Sequence, residues 1–507
     1  MTYINKNNTK TEVIRYLKLK IMITNLKTKE EYGTNIFDGP YYLNIDGQLV
    51  QTTDSFDVEN PATGKVFAKA PSASPEQLNQ AIDAAKRAFK SWSQLGYDER
   101  ERYLKAYADA LDSHRDELAR LLTMEQGKPF ATEASAEIDQ AIRYIREIAA
   151  RRIPVEIVEE NDSHIVELHH TPLGVIGAIT PWNFPVLLTL WKVAPALITG
   201  NTIVIKPSPF TPLSLLRAGQ IAQSVLPAGV MSVITGEDKL GPQITEHKDI
   251  AKISFTGSTE TGKHVIRSAA STVKRLTLEM GGNDAAIVLP DADWKSIIPQ
   301  LFWGALGNMG QWCVGIKRLY VHKSFRKDFV KDFVDYARKQ KQGNGLHSDV
   351  VLGPVQNKMQ YEKVKTFLAD IEANDQNIVL GGDVDDSQPG YFIPITVVDN
   401  PAEESKIVQE EQFGPIVPII EYEDIDDVVN RANNSPFGLG GSVWGQDTQI
   451  AVDVANRLET GMVWVNEIHT QGVDIPFGGH KQSGLGTEQG HEGRLLFTNP
   501  KTILIKK

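Results

Sequence analysis

Helical and extended patterns follow one another along the chain. Residues 74–77 (SPEQ) combine an N-cap serine, a proline at the first helical position and a capping-box glutamine, so they predict the start of a helix. The apolar residues that then share one helical face are Leu78, Ile82, Ala85 and Phe89. A second amphipathic helix is predicted for Asp98 to Met124. Residues 153–159 and 165–169, on either side of Asn161-Asp162, predict a β-hairpin.

Short apolar runs alternate with helical stretches in the following part of the chain. The runs are Val175–Ile179, Thr202–Ile205, Met231–Ile234, Ile253–Phe255, Ala285–Leu289 and Leu319–Val321. Strand–helix alternation of this kind predicts an α/β fold, in which helices cover the faces of parallel sheets. Ligands in such folds bind beyond the carboxyl ends of the strands. Residues that directly follow these runs are therefore the candidates for chemistry.

The composition narrows the class of protein. A chain of 507 residues is long enough for two or three domains, and 41% hydrophobic with 23% charged residues is typical of a soluble globular protein. A net charge of −11 argues against binding to nucleic acid or to an anionic membrane. No apolar run reaches the roughly 18 residues that span a bilayer. A single cysteine fits a reducing compartment, so we expect a cytoplasmic protein.

The first 38 residues differ from the rest, because they are basic and rich in Lys, Asn and Thr. They lack the apolar core and small-residue cleavage site of a secretory signal. We expect either a poorly ordered tail or an over-long reading frame whose true start is Met22. Compact sequence begins near Gly39.

The single cysteine, Cys313, cannot form an internal disulfide or a multi-thiolate metal site. It is either an inert core thiol, which is the commoner case for a lone cysteine, or a nucleophile. Gly307, Gly310 and Gly315 surround it, which indicates a backbone that turns tightly or approaches a ligand closely. Reactive thiolates often lie at a helix N-terminus or beside polarising groups.

The segment 253–262 (ISFTGSTETG) has the pattern of a strand, a turn and a helix start. Gly257 and Gly262 are spaced like the outer glycines of a dinucleotide-binding loop, in which amides at a helix N-terminus face a phosphate. Thr259 replaces the middle glycine. From this segment alone, a plain capped turn between strand and helix is the preferred explanation.

Three polar residues follow predicted strands or stand among glycines, and each has a purely structural alternative. Lys206, at a strand end, is suited to ribose hydroxyls or phosphate, although most lone lysines are simply solvated. Asn183, between two prolines, offers an amide donor to a developing oxyanion, or it caps its own turn. Glu279, before Gly281 and Gly282, suits a general base if burial raises its pKa, or it is a surface charge.

Taken together, these segments resemble the aldehyde dehydrogenase superfamily, the NAD(P)-dependent and non-acylating kind. The resemblance extends from about Gly39 to Lys507. Its motifs, in the family's order, are PWNFP at 181–185, IKPS at 205–208, FTGSTETG at 255–262, LEMGG at 278–282, GQWC at 310–313, EEQFGP at 410–415 and PFGGHKQSG at 476–484. The resemblance implies an enzyme that oxidises an aldehyde to the carboxylic acid.

Five residues match catalytic positions of that family. Cys313 matches the nucleophile, which forms a thiohemiacetal and then a thioester. Asn183, with the backbone amide of Cys313, matches the oxyanion hole. Glu279 matches the base that activates water for hydrolysis of the thioester. Lys192 and Glu488 match positions proposed to support catalysis or to relay protons.

The resemblance also implies NAD as the cofactor. The matching residues are Trp182, Thr256, Lys206, Ser208, Gly257, Ser258, Glu411 and Phe413. Lys206 matches a ligand of the adenine ribose, Ser258 a pyrophosphate contact, and Glu411 the carboxylate that holds the nicotinamide ribose, beside which Phe413 lies. Many NAD-preferring members carry a Glu three residues after the lysine, where this chain has Pro209. Without the repulsion of that Glu, NADP is not excluded.

The family positions around the substrate tunnel predict an apolar or aromatic aldehyde. They are occupied by Phe184, Leu188, Trp191, Trp312 and His469. Members that act on succinate semialdehyde use arginines at positions that here carry Trp191 and Gly307, so a dianionic substrate is not expected. His469 and Gln471 leave a hydroxylated aldehyde or an amino-aldehyde open. No metal site is expected.

The resemblance implies two Rossmann-type parallel-sheet domains and a β arm. The expected bounds are 39–150 and 171–279 for the NAD(P)-binding domain, 280–493 for the catalytic domain, and 151–170 with 494–507 for the oligomerisation arm. The arm would pair the hairpin with a terminal strand at Thr502–Ile505. An exposed hairpin edge is costly, which favours a homodimer or homotetramer.

Two alternatives remain at this point. An acylating dehydrogenase would pass the acyl group to coenzyme A, but such relatives generally lack the carboxylate that Glu279 supplies. A catalytically silent binding or structural homologue would be expected to lack Cys313, Glu279 or Asn183, and all three are present.

Overall fold

A computed structural model describes residues 39–507. The prediction of a poorly ordered tail at 1–38, and the alternative start at Met22, lie outside the described residues. Within them, two large sheets, each parallel at its centre and antiparallel at one or both edges, confirm the predicted α/β class.

One of the two large sheets, called the first sheet throughout, has eight strands. In spatial order they are Gln48–Val50, Leu43–Ile45, Met231–Val233, Thr202–Lys206, Val175–Ile179, Ile250–Thr256, Arg275–Glu279 and Gly484–Leu485. The five strands from Met231–Val233 to Arg275–Glu279 run parallel. The apolar runs predict the four strands from 175 to 256 correctly, because central parallel strands are buried on both faces and lack alternation.

The second sheet has seven strands. In spatial order they are Ile378–Leu380, Thr396–Asp399, Ile416–Tyr422, Ile316–His322, Asp284–Val288, Gly441–Trp444 and Trp464–Val465. Only the Ile378–Leu380 edge is antiparallel to its neighbour. Each sheet has its own hydrophobic core, with helices packed on the faces.

The helices within residues 39–507 surround both sheets. Their bounds are Pro75–Trp92, Tyr97–Ser113, Arg115–Gln126, Phe130–Ala134 (a π turn), Ser135–Ala149, Pro185–Ile198, Leu213–Gln223, Leu240–Glu246, Thr259–Ala269, Trp294–Leu306, Arg326–Ala337, Lys358–Ala373, Lys406–Gln409, Ile425–Asn433, Thr448–Ala455 and Gly490–Leu495. Short 3₁₀ turns span Ala270–Thr272 and Gly307–Gly310.

The first predicted helix is confirmed, including its capping box. The hydroxyl of Ser74 accepts from the Gln77 amide, and the Gln77 side chain accepts from the Ser74 amide. The prediction of one continuous helix over 98–124 is wrong. The segment forms two helices that meet at His114, whose φ of −114° is outside the helical range.

A three-stranded sheet, the arm, joins the predicted hairpin to the end of the chain. Its strands are Glu156–Glu160, His164–Pro172 and Thr498–Lys506, with the middle strand antiparallel to both neighbours. Every residue of Glu156–Glu160 is exposed. Two further strand pairs are Asp54–Asn60 with Lys65–Ser72 and Phe437–Gly438 with His480–Lys481.

The chain after the second sheet returns to the first. Leu485 pairs with Leu278 and Gly484 pairs with Glu279, so strand 484–485 lies at the edge of the first sheet although it comes late in the chain. The domain bounds given above stay a prediction. This return places residues from near the end of the chain beside Glu279.

Within residues 39–507, no helix is both long enough and apolar enough to cross a membrane.

Candidate active site

Cys313 lies in a turn between the 3₁₀ turn Gly307–Gly310 and strand Ile316–His322 of the second sheet. Asn308 and Met309 have φ of 49° and 56°, a conformation that costs energy for residues with side chains. A Cβ on Gly310, whose φ is +71°, would collide with the carbonyl oxygen of Gly414. The tight backbone that the glycines predict is therefore present, although Cys313 does not stand at a helix N-terminus.

Buried amides hold this strained turn in place. The amide nitrogen of the Gln126 side chain donates to Asn308 Oδ1 (3.0 Å), and Glu133 Oε1 accepts from the Asn308 backbone amide (2.6 Å). The Gln311 side chain donates to the Asn308 carbonyl (2.9 Å) and accepts from the Gln356 amide (2.8 Å). Because all of these groups are shielded from water, the turn is rigid beside the thiol.

Asn183 faces the cysteine turn from the first half of the chain. It is 4% exposed, and its side-chain Nδ2 donates to the Gln311 carbonyl at 3.0 Å. Its own carbonyl accepts from Lys128 Nζ and from Asn308 Nδ2, each at 2.9 Å. The bond to the Gln311 carbonyl thus fixes the direction of the Asn183 side-chain amide.

A buried ion pair supports Asn183, and it was not found from the sequence. Lys128 Nζ lies 2.6 Å from Glu137 Oε2, and both side chains are almost fully buried. Glu137 Oε1 accepts from the amides of Val186 and Leu187, which caps helix Pro185–Ile198. Removal of one partner of such a pair typically costs about 3–5 kcal/mol, since the other charge stays buried. Lys128 also lies 3.7 Å from the ring centroid of Phe184.

The thiol of Cys313 is in an environment that opposes its ionisation. Burial against the hydrophobic core raises the pKa of Cys313 to about 12, and the carboxylates of Asp284, Glu411 and Glu279 raise it further. Lys317 acts in the opposite direction. The thiol is therefore protonated at neutral pH in this state, and its proton must leave as the sulfur reacts.

Lys317 is another residue that sequence reasoning missed. Its ammonium is buried and donates to the carbonyls of Trp312 and, at 3.1 Å, Gly315, on both sides of Cys313. Burial lowers the pKa of Lys317, while Glu411 and Asp284 raise it. The only signal in the sequence for this residue was a lysine four positions after the cysteine.

Glu279 ends strand Arg275–Glu279 at the carboxyl edge of the first sheet. It is 3% exposed, and among residues 39–507 neither of its carboxylate oxygens has a hydrogen-bond partner. Burial raises the pKa of Glu279 well above its ordinary value, Glu488 raises it further, and Lys192 lowers it. The surface-charge alternative does not apply to this buried group, and burial is the main cause of its raised pKa.

Lys192 and Glu488 form a buried ion pair close to Glu279. Lys192 Nζ also donates to Thr256 Oγ1 at 2.8 Å, and Glu488 accepts from Ser254 Oγ at 3.2 Å. The two residues are 296 positions apart, and they meet because the chain returns to the first sheet after residue 465.

The predicted phosphate and ribose residues lie at the carboxyl ends of neighbouring strands. Lys206 and Ser208 follow strand Thr202–Lys206, and Ser258 caps helix Thr259–Ala269 by accepting from the Thr261 amide. A Cβ on Gly257 would collide with the Phe255 ring. Burial lowers the pKa of Lys206, and Asp238 raises it.

Glu411 and Phe413 reach the site from the second sheet's side. Glu411 Oε1 accepts from the Gly282 amide at 3.1 Å, and a side chain on Gly281 would collide with the Glu411 carboxylate. Phe413, with φ of 50°, packs edge-on against Trp182 at a centroid distance of 5.4 Å. Glu411 and Phe413 are thus placed beside the Gly281–Gly282 segment and Trp182. That they share one cofactor site with the residues of the first sheet stays a prediction.

Aromatic rings line the approach to Cys313. Trp312 lies 4.8 Å from the Phe184 ring centroid and stacks on His469 at 3.9 Å. The imidazole ring of His469 is uncharged at neutral pH, because burial lowers the pKa of His469 to about 4. Its hydrogen bond to the Val314 carbonyl acts in the opposite direction. A cavity of about 400 Å³ opens beside these rings.

The cavity also contains residues that the sequence did not single out. Its lining is Glu133, Pro299, Gln300, Trp303, Gly304, Gly307, Trp312, Glu467, Ile468 and His469. The absence of a side chain at Gly307 leaves room beside Trp312. These residues come from segments far apart in the chain, so no local pattern pointed to them.

Trp191 and Leu188 lie deeper than the other predicted substrate residues. Trp191 is 4% exposed, with its ring against Tyr144 at 6.0 Å and Phe477 at 5.6 Å. It borders a separate, small recess near Gln471. Leu188 is 7% exposed. Phe184, Trp312 and His469 are therefore brought together. Trp312 and His469 line the cavity, and Trp191 stands apart from it.

Comparisons with known proteins agree with this fold and site. The model of the aldehyde dehydrogenase family matches residues 49–503. A putative aldehyde dehydrogenase of Gibberella fujikuroi is 38% identical over 92% of this chain and 99% of its own length. The putative aldehyde dehydrogenase DhaS of Bacillus subtilis is also 38% identical, over 92% of this chain and 96% of its own.

Solved structures extend the likeness. A mutant aldehyde dehydrogenase from Bacillus cereus has a TM-score of 0.89 at 35% identity, covering 92% of this chain and 96% of its own. Betaine aldehyde dehydrogenase from Staphylococcus aureus, in complex with NAD⁺, has a TM-score of 0.88 at 35% identity, covering 92% of this chain and 94% of its own. The fold and these likenesses define an oxidoreductase of the α/β class. The chain belongs to the aldehyde dehydrogenase family.

Proposed function

We propose that the protein oxidises an aldehyde to the carboxylic acid with NAD, through a covalent adduct on Cys313. The observation that carries this proposal is the proximity of three groups. The Asn183 amide donates to the Gln311 carbonyl in the cysteine turn, and the Glu279 carboxylate lies near enough to Cys313 to raise the pKa of its thiol. Family membership and the NAD⁺ complex of the Staphylococcus aureus relative support it.

The residues of the cleft fit NAD. Ser258 and the amides at the start of helix Thr259–Ala269 suit the pyrophosphate, and Lys206 suits the adenine ribose. Glu411 offers its carboxylate to the nicotinamide ribose. Pro209 carries no charge that would repel a 2′-phosphate, so NADP stays within the proposal as a second cofactor.

The residues of the chain divide the reaction between them. Cys313 Sγ attacks the carbonyl carbon and gives its proton to solvent water, while the carbonyl oxygen becomes negative. Bound NAD accepts the hydride that this adduct gives up, and a thioester on Cys313 results. Glu279 then takes a proton from water, the water oxygen attacks the thioester carbon, and the carbon–sulfur bond breaks. The proton passes from Glu279 to the departing Cys313 sulfur, so that the acid and the free thiol result.

Asn183 stabilises the negative oxygen through the N–H that Gln311 does not occupy. We expect Asn183→Ala to lower kcat about 10²- to 10³-fold while substrate binding changes little. Steady-state kinetics with NAD check this. Asn44→Ala removes another buried amide, which donates to the Leu216 carbonyl at 3.1 Å away from the cleft, and serves as the control. Equal losses in the two variants would contradict the role of Asn183.

The substrate is proposed to be an apolar or aromatic aldehyde. Support comes from the Phe184, Trp312 and His469 rings beside Cys313 and from the uncharged state of His469 at neutral pH. Glu133 and Glu467 line the same cavity, which disfavours an anionic substrate.

We further propose a homo-oligomer, with the arm as part of the interface, and a cytoplasmic location. Val155, Ile157 and Val158 on the hairpin and Leu504 and Ile505 on the terminal strand are exposed. Exposed apolar side chains on sheet edges favour pairing with a second copy.

The experiment that tests the function measures reduced cofactor with and without coenzyme A. Benzaldehyde, hexanal and succinate semialdehyde are supplied with NAD or NADP. We expect activity without coenzyme A, formation of the free acid, and the lowest kcat/KM for succinate semialdehyde. Strict dependence on coenzyme A would establish the acylating alternative, and no turnover with any aldehyde would favour a silent homologue.

A further inference from the structure

A polar stripe crosses the buried face of the first sheet behind Glu279. Strands Ile250–Thr256 and Arg275–Glu279 run parallel in a register that pairs Lys252 with Arg275, Ser254 with Thr277 and Thr256 with Glu279. Because side chains alternate along a strand, these six residues share one face. The stripe begins in solvent at Arg275, which is exposed, and ends at Glu279 in the cleft.

Lys252 is the unexplained member of this stripe. Its side chain is 0% exposed, and its ammonium donates to Thr277 Oγ1 and lies 4.9 Å from the ring centroid of Phe497. A buried lysine is costly unless its charge is compensated. The mechanism above gives it no task.

The compensating negative charge is the carboxylate of Glu488, which also pairs with Lys192. Glu488 accepts from both Lys192 and Ser254, and Ser254 is the neighbour of Lys252 on the same face of the strand. Two carboxyl groups, Glu279 and Glu488, and two amines, Lys192 and Lys252, therefore occupy one region closed to water. A change of charge on any of them changes the ionisation of the others.

The charges around Lys252 support an exchangeable proton. Burial lowers the pKa of Lys252 to about 7, Glu488 raises it, and Lys192 and Arg275 lower it. Glu279 is subject to the same two neighbours, since Glu488 raises its pKa and Lys192 lowers it. Lys252 is thus charged below about pH 7 and neutral above it. This is the pH range in which Glu279 has to return to its carboxylate form.

We propose that Lys252 is a positioning residue whose buried positive charge keeps the carboxyl groups of Glu488 and Glu279 ionised, so that Glu279 can take a proton from water during deacylation. Lys252 acts across the stripe: its ammonium donates to Thr277 Oγ1, and Glu488 accepts from Ser254, the next residue on that face of the strand. This inference rests on the proposed function.

The test follows the thioester directly. Enzyme with NAD and benzaldehyde is quenched at short times, and the decay of the Cys313 acyl adduct is measured by intact-protein mass spectrometry from pH 6 to pH 9. In Lys252→Met the positive charge is lost, so the carboxyl groups bind protons more tightly. We expect decay about tenfold slower than wild type at pH 6 and equal to wild type at pH 9, where the Lys252 of wild type is neutral as well.

Two further variants complete the design. Thr277→Val removes the hydroxyl that accepts from Lys252 and should slow decay in the same pH range, by a smaller factor; it also decides the question if Lys252→Met does not fold. Lys331→Met, at an exposed lysine, should match wild type. The inference is overturned if decay of the acyl adduct in Thr277→Val, and in Lys252→Met if that variant folds, matches wild type at all pH values. It is also overturned if decay is slowed equally at all of them. Lack of an acyl adduct in wild type would instead overturn the proposed function.

Discussion

Replacement of Cys313 by serine should lower the rate of aldehyde oxidation by about 10³-fold or more. A serine hydroxyl is a far weaker nucleophile than a thiol that gives up its proton during attack, and no second cysteine exists to take its place. Reduced-cofactor formation with benzaldehyde measures the effect. An active Cys313→Ser variant would remove the nucleophile assignment.

Alkylation provides an independent measurement on wild type. Because Cys313 is the single cysteine, iodoacetamide can label only one site in the chain. Its pKa of about 12 means that the thiolate fraction, and hence the labelling rate, should increase as pH rises from 7 to 10. A labelling rate that does not change with pH would contradict the buried, protonated thiol.

Replacement of Glu279 by glutamine should slow deacylation about 10²- to 10⁴-fold and leave acylation largely intact. The amide has nearly the shape of the carboxylate but cannot take the proton of water. A rapid burst of reduced cofactor, close to one per active site, should then precede a slow steady state. Stopped-flow absorbance records both phases.

The control for this variant is Glu403→Gln, which removes a carboxylate paired with Arg431 at 2.7 Å, away from the cleft. It should show the steady-state rate of wild type. If Glu279→Gln slows the burst as much as the steady state, Glu279 acts before thioester formation and the division of roles given above is wrong.

Local sequence was sufficient wherever one segment carries its own physical reason. The capping box at 74–77 closes within four residues, and strand Val175–Ile179 has the bounds of its apolar run. His114 shows the limit of this approach. An amphipathic pattern continues across 98–124, yet the chain turns there, because two helices of 17 and 12 residues pack differently on the core.

The candidate site was predicted in its parts but not in its assembly. The motifs pointed to Cys313, Asn183 and Glu279, and the structure brings the Asn183 amide to the cysteine turn and Glu279 close to Cys313. The Lys128–Glu137 pair beneath Asn183 had no signal of its own, since a lysine before a proline is ordinarily a surface residue. Trp191, expected along the substrate path, is buried against Tyr144 and Phe477.

By itself the sequence determined the α/β class, most central strands and the chemical identity of the reacting groups, because these depend on apolar periodicity and on residue type. Only the tertiary structure decided how those groups ionise. The raised pKa values of Cys313 and Glu279 and the lowered pKa of Lys252 come from burial and from charges far away in the chain. Burial is a property of the packed molecule, and the return of the chain to the first sheet is what brings Glu488 to Lys192.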